Sequence, residues 1–125
     1  MRKVLWVLFI ALLPGVAASQ PYPTKPVKIV VPYPAGSTPD IVGRTLAAKL
    51  QVALGQPCVV ENRAGAGGNI GADAVAKSAP DGHTLLVAVN GPVAVNKYLY
   101  KDMPYDSDKD LMPISLLATS PQMLV

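Results

Sequence analysis

The feature that most constrains the fold is a repeated unit: a short apolar run, then a glycine-bearing corner, then a helical stretch. Three such runs occur, VKIVV at 27 to 31, CVVEN at 58 to 62 and TLLVAV at 84 to 89. The first is β-branched and almost continuously apolar, as a strand covered on both faces should be. Alternation of strand and helix predicts an α/β fold in which a parallel sheet is wrapped by helices.

The first helix has a recognisable start and end. Ser37 or Thr38 can cap it, and Asp40 lies in its first turn, where the helix dipole favours negative charge. Its apolar face recurs every four residues, at Val42, Leu46, Leu50 and Leu54. Gly55 follows and ends the helix.

Further elements follow the second strand. A small-residue helix is predicted from about 70 to 78, and a shorter one from roughly 92 to 98. After a polar loop at 101 to 110, the segments 113 to 118 and 122 to 125 indicate two more strands.

The first twenty residues have the layout of a secretory signal peptide. Arg2 and Lys3 precede an apolar run from 4 to 13, and a helix-breaking Pro14-Gly15 follows. The run is too short to span a bilayer, although an uncleaved anchor is the alternative.

Small residues set the expected cleavage site, after Ala18 or Ser19. The predicted organisation is therefore a signal peptide at 1–19 and a folded domain at 20–125. A cleaved signal peptide implies a periplasmic location.

Charge and cysteine content exclude other classes. Removing Arg2 and Lys3 lowers the basic count from 11 to nine, against eight acidic residues. So small a net charge gives no electrostatic basis for nucleic-acid binding. The single Cys58 excludes an internal disulfide, and its apolar neighbours predict a buried thiol.

Catalytic and metal-binding patterns are sparse. His83 is the only histidine, which leaves no second one for a metal site, and its turn context predicts a solvated side chain. Ser37 lacks an obvious base and a nucleophile elbow. The alternating acids Asp106, Asp108 and Asp110 lack the glycine and closing glutamate of a calcium loop. We predict no catalytic residue, no metal and no enzymatic activity.

The glycine-rich segment GAGGNIG at 65 to 71 resembles a dinucleotide loop only in part. Its spacing is G-x-G-x-x-x-G, and the next strand ends in VAVNG, without an acid for a ribose hydroxyl. We therefore predict no cofactor.

Three corners should share one edge of the sheet. The segments 32 to 40, 63 to 69 and Asn90-Gly91 each follow a strand. Ligands of open parallel sheets bind beyond the carboxyl ends of the strands, and backbone N–H groups there favour anions. The alternative is that these residues serve only as turns and caps.

Three ordered motifs carry a family resemblance. They are YPTKPVKIVVPYPAGSTPDIVGRTLAAKL, VVENRAGAGGNIGADAVAKSAPDGHTLLVAVNG and NKYLYKDMPYDSDKDLMPISLLATSPQMLV. Together they resemble the amino-terminal part of a tripartite tricarboxylate transporter substrate-binding protein of the Bug or TctC family. The resemblance implies that 20–125 is a partial solute-binding domain. It corresponds to most of the first lobe of a type II periplasmic-binding-protein (Venus flytrap) fold, with the second lobe missing.

The resemblance also implies site residues. Ligand-binding residues carried over are Pro34, Ala35, Gly36, Ser37, Thr38, Asp40, Asn90 and Gly91. Asp40 is expected to brace the loop by accepting backbone hydrogen bonds, since it would repel an anion. Gly67, Gly68 and Asn69 match a family motif, but their ligand role stays open. Ser37 stands where the family often has a second glycine.

The implied function is capture of a small carboxylate for the permease subunits of a tripartite transporter, by a monomer when full-length. The chain is either a fragment of a longer reading frame or the product of a truncated gene. Rival classes stay open, namely a non-binding fragment, a protein-interaction module and a secreted hydrolase-like enzyme that uses Ser37.

The signal-peptide layout generates the first test. Mass spectrometry of periplasmic material should show a mature chain that begins at Ser19 or Gln20, because small residues direct cleavage there. Recovery of the intact chain from Met1 in the soluble cytoplasm would contradict the export prediction.

Overall fold

The computed structural model describes residues 21–121. The predicted signal peptide and the predicted strand at 122 to 125 lie outside the described residues. The elements in chain order are β1 (Val27–Val31), α1 (Thr38–Leu54), β2 (Cys58–Asn62), a 3-10 turn (Ala66–Gly68), α2 (Asn69–Ala76), β3 (Thr84–Leu86), a π-helical turn (Gly91–Val95) and α3 (Asn96–Leu99).

The sheet has three strands in the order β2-β1-β3, and both pairings are parallel. Val27 pairs with Cys58, and Lys28 pairs with Thr84. The predicted parallel sheet wrapped by helices is therefore confirmed.

The core lies against the central strand. Ile29 and Val31 are fully buried and cluster with Ala47 of α1 and with Val87. Because strand side chains alternate between faces, Val30 points to the other side of the sheet. It is also buried, and α2 contacts both β1 and β3. Helices therefore cover a strand whose sequence is almost continuously apolar.

Two predicted strands were wrong in extent or existence. β3 ends at Leu86 instead of Val89, and it pairs with β1 only between Lys28 and Val30. Residues 113 to 118 form no strand and are exposed. Their β-propensity is real, but no described strand pairs with them, and an unpaired strand is not stable in water.

Two single-residue predictions were also wrong. His83 is buried, because the segment before β1 folds over it. The Tyr22 ring packs edge-on at 5.0 Å from the imidazole, and the backbone N–H of Thr24 donates to Nε2 at 3.3 Å. Cys58 is only half-buried, because β2 is an edge strand. In the described part of the chain, no helix is long and apolar enough to cross a membrane.

The α2 helix approaches Pro32, the residue after β1, so closely that only glycine fits at position 71. A Cβ atom on Gly71 would lie 2.6 Å from Cβ of Pro32 and 2.9 Å from the carbonyl oxygen of Arg63. One neighbour is a proline ring atom and the other is a backbone oxygen, and neither can rotate away, so the added atom forces the backbone apart.

Gly71→Ala should therefore lower the free energy of unfolding by about 1 to 3 kcal/mol, the usual cost of overpacking. Urea unfolding followed by circular dichroism measures this change. Ala48→Gly is the control, since it also exchanges glycine and alanine, at an exposed position of α1. It should cost about 1 kcal/mol through helix propensity. A stabilised Gly71→Ala protein would show that the approach is looser than described.

Candidate functional site

The candidate site lies where the three strands end. We name the first corner (residues 32–40), the second corner (63–69) and the third corner (90–95), which follow β1, β2 and β3. All three strands are parallel, so the corners share the carboxyl edge of the sheet. This is the edge at which α/β proteins bind ligands.

Tyr33 joins the first corner to the other two. Burial raises the pKa of its hydroxyl, and the nearby backbone of Val89, just before the third corner, partly offsets this rise. A Cβ atom on Gly68 would lie 3.1 Å from the Tyr33 hydroxyl oxygen and 3.1 Å from Cγ of Pro92. The second corner is therefore packed between the first and the third.

The carboxylate of Asp40 holds the first corner together. Asp40 is 2% exposed. Its Oδ2 accepts the backbone N–H of Gly36 at 2.8 Å and Nε of Arg44 at 3.0 Å. Its Oδ1 accepts the side-chain amide of Asn62 at 2.8 Å. The predicted bracing role is confirmed, because both oxygens are engaged inside the protein.

Asn62, the last residue of β2, extends this brace to the neighbouring strand. Its Nδ2 also donates to the carbonyl of Tyr33 at 3.1 Å, and its Oδ1 accepts from Arg44 at 3.1 Å. Hydrogen bonds from Arg44, Gly36 and Asn62 together lower the pKa of Asp40 from 3.8 to about 2. The carboxylate therefore stays ionised wherever the protein is near neutral pH.

Ser37 occupies the N-cap of α1 without capping it. Its backbone is extended, with φ −71° and ψ 160°, but its side chain forms no cap hydrogen bond. The hydroxyl instead donates to the carbonyl of Pro34 at 2.7 Å. The side chain of the N-cap residue therefore accepts from none of the backbone N–H groups in the first turn of α1.

Gly36 contributes conformation and not a donor. Its φ is 82°, a conformation that is strained for any residue with a side chain, and its N–H donates to Asp40. The Gly36 N–H is therefore not free to bind a ligand. A Cβ atom built on Gly36 meets nothing within 4 Å, so this point of the corner opens outward.

The third corner begins with a π-helical turn, Gly91–Val95, which passes directly into α3. The single helix predicted there is thus two segments. Asn90 is exposed at the N-cap of this turn and forms no side-chain cap hydrogen bond. Such π-turns occur often at functional sites. A Cβ atom on Gly91 would be 3.6 Å from the Gly67 carbonyl, so this turn lies against the second corner.

Metal binding finds no support at this edge. Among residues 21–121, no group of three or more histidine, cysteine, aspartate or glutamate side chains could hold an ion. Of the polar groups described, the corners offer mainly backbone N–H groups, hydroxyls and amides. These groups suit an anion.

Comparison with known proteins identifies the family. A family model described as tripartite tricarboxylate transporter family receptor matches residues 42–125, more than half of the chain. The chain belongs to this receptor family. It is a family of transporter receptors and not of enzymes, as predicted.

Relatives and solved structures agree with this family. Protein BugT of Bordetella pertussis strain Tohama I is 48% identical over 115 residues, which cover 89% of this chain and 35% of BugT. MatC from Rhodopseudomonas palustris, solved with bound malate, has a TM-score of 0.73 at 42% identity and covers 77% of this chain and 33% of MatC. R. palustris Rpa4515 with adipate has a TM-score of 0.67 at 41% identity, over 70% of this chain and 29% of that protein. The chain spans about a third of the length of the curated relatives it matches.

The predicted site residues of this receptor-family chain differ in exposure. Five are exposed: Pro34, Ala35, Gly36, Thr38 and Asn90. Ser37 and Gly91 are half-buried, and Asp40 is buried beneath the first corner. The structure thus brings the first and third corners to one edge and places Asp40 behind the surface.

Sequence reasoning missed Tyr33, Arg44 and Asn62 in this receptor-family chain. Asn62 had a usable signal, since it is a polar residue at the carboxyl end of a strand. Arg44 also had one, since it lies four residues after Asp40 on one helix face. Tyr33 had none, because its contacts with Gly68 and Val89 join distant parts of the chain.

The Asp40 brace generates a pH-dependent prediction. Asp40→Asn should lower the melting temperature at pH 7, because the amide has one acceptor oxygen for three donors. A folded-state pKa of about 2, below the ordinary 3.8, means that the carboxylate adds stability above pH 3.8 and loses it as the pH falls through about 2. The difference between wild type and variant should therefore shrink from pH 3.8 to about 2.

Thermal unfolding followed by circular dichroism across this range measures the difference. Asp102→Asn, at an exposed position, is the matched control and should change the melting temperature little. A gap between wild type and Asp40→Asn that stays constant as the solution is acidified would refute the assigned brace.

Proposed function

We propose that this chain supplies one wall of the binding site of an exported receptor that captures a small dicarboxylate. The observation that carries the proposal is the Ser37 hydroxyl, which donates to Pro34 and leaves first-turn donors of α1 unused. Unused donors at the positive end of a 17-residue helix attract an anion.

The ligand class is supported by chemistry and by relatives. The exposed backbone of the first corner and the Thr38 hydroxyl are hydrogen-bond donors, which suit carboxylate oxygens. Structural neighbours carry malate and adipate, both small dicarboxylates, in MatC and Rpa4515. We extend that class to this chain, without choosing between short and long dicarboxylates.

The proposed contacts divide between two corners. In the first corner, Pro34, Ala35, Gly36, Ser37 and Thr38 form the wall, and Asp40 braces it from behind. Asn90 and Gly91 of the third corner form the adjoining side. A ligand carboxylate held by Thr38 and first-turn N–H groups would sit on the opposite side of the corner from Asp40.

The wider role follows from the family. We propose that the chain is exported to the periplasm with its signal peptide cleaved, and that it delivers its ligand to the permease subunits of a tripartite transporter. A full-length receptor of this kind is proposed to act as a monomer. One wall alone should bind weakly, because hydrogen bonds on an open surface compete with water.

Thr38→Ala tests the cradle. Loss of a hydrogen bond to a charged group costs about 1.5 to 3 kcal/mol, so affinity for malate or adipate should fall by roughly 10- to 150-fold. Two-dimensional ¹H–¹⁵N NMR of the chain, titrated with each acid, detects even weak binding. Ligand should shift the amide resonances of Ala35, Ser37, Thr38, Asp40 and Ile41.

Thr45→Ala is the matched control. It also replaces a threonine of α1 by alanine, but the Thr45 hydroxyl donates to the carbonyl of Ile41 at 2.9 Å and lies outside the first corner. Its affinity should equal that of the wild type. Equal binding by Thr38→Ala and the wild type, or shifts confined to residues outside the first and third corners, would place the ligand elsewhere.

A further inference from the structure

Three buried side chains form a polar network behind the second and third corners. Asn69 and Asn96 are 4% and 5% exposed, and Tyr105 is 6% exposed. Asn96 Nδ2 donates to Asn69 Oδ1 at 2.6 Å and to the carbonyl of Gly67 at 3.2 Å. The Tyr105 hydroxyl donates to the carbonyl of Pro92 at 2.6 Å. None of the three has a role in the site described above.

The Gly67 carbonyl fixes the orientation of this network. A carbonyl oxygen only accepts, so the Asn96 amide must turn its NH₂ group toward Gly67. The same NH₂ group then faces Asn69, which must present its oxygen. The Tyr105 hydroxyl has one proton, and the 2.6 Å distance assigns it to Pro92 instead of Asn69 at 3.3 Å. The hydrogen bonds are therefore mutually consistent in one arrangement.

The second corner needs such support. Four consecutive residues have positive φ: Gly65 at 134°, Ala66 at 47°, Gly67 at 63° and Gly68 at 96°. For Ala66 this conformation is strained, and glycine backbone loses much freedom when it is fixed. Asn96 binds the carbonyl in the middle of this run. Asn96 therefore stabilises the conformation of residues 65 to 68, which their own backbone preferences favour only weakly.

The held segment touches both corners proposed to bind ligand. Gly68 lies between the Tyr33 hydroxyl and the Pro92 ring, at the distances given above. Tyr105 fixes the same Pro92 through its carbonyl. The network thus controls where the third corner lies relative to the first.

We propose that Asn96 and Tyr105 are positioning residues for dicarboxylate binding, acting by fixing the second corner as the spacer between the two ligand-binding corners. This inference rests on the proposed function. Neither residue touches the ligand. Their substitution changes the separation of the corners and leaves the donors themselves in place.

Asn96→Asp tests the inference with almost no change in shape. A carboxyl group has at most one proton, whereas the Asn96 amide donates to two acceptors, the Gly67 carbonyl and Asn69 Oδ1, so the network opens. Affinity for malate or adipate, measured by the same NMR titration, should fall by about tenfold or more. Tyr105→Phe removes a single hydrogen bond and should weaken binding less, which provides a second variant if Asn96→Asp fails to fold.

Controls separate positioning from loss of stability. Leu50→Ala removes apolar packing from the part of α1 remote from the corners, so it should lower the melting temperature yet keep wild-type affinity. Gln51→Glu and Tyr98→Phe make the matched changes at exposed positions and should leave both quantities unchanged. All titrations are run well below the lowest melting temperature.

A ligand-free comparison makes the inference independent of binding. In spectra without ligand, Asn96→Asp should shift the amide resonances of Tyr33 and Gly36 as well as those of the second corner. Wild-type affinity in a folded Asn96→Asp protein overturns the inference and leaves the proposed function standing. If the wild type binds neither acid, the proposed function fails, and unchanged Tyr33 and Gly36 resonances in Asn96→Asp then overturn the positioning inference as well.

Discussion

The buried carboxylate of Asp40 is the interaction on which the carboxyl edge of the sheet, the candidate binding site, depends. It joins the turn at Gly36, the start of α1 at Arg44 and the end of β2 at Asn62. A buried charge is tolerable only when such partners replace water. Asp40 consequently fixes the first corner, and the donors from Gly36, Arg44 and Asn62 compensate its charge. Because Asp40 is buried, its carboxylate is absent from the outward surface of the corner.

Local patterns predicted the first half of the fold closely. β1 and β2 have the predicted bounds, and α1 ends at Leu54 as its four-residue apolar repeat indicated. These elements carry their own signals of periodicity, capping and breaking. β3 was shorter than predicted because its length is set by pairing with β1. A strand's partner is a long-range property that no local pattern records.

The meeting of the corners at one edge of the sheet was predictable, and their internal contacts were not. Composition placed hydroxyls and glycine in the first corner, and the parallel topology placed the third corner beside it. The internal contacts depend on the folded chain. The Ser37 hydroxyl turns to the Pro34 carbonyl, the Gly36 N–H donates to Asp40, and His83 is buried where it accepts from Thr24. Asn96 gave no signal at all, since a polar residue beside Lys97 and Tyr98 is usually exposed, yet it is buried by contacts with Gly67 and Asn69.

The central place of β1 has a consequence for how the chain acquires its structure. β1 pairs with a strand at residue 58 on one side and with another at residue 84 on the other. The sheet therefore has a high contact order, and the entropy of closing both loops opposes pairing until late in folding. A chain with this topology cannot complete its sheet until β3 is available to pair with β1. Slow sheet closure is compatible with the proposed export, in which a chain crosses a membrane before it folds.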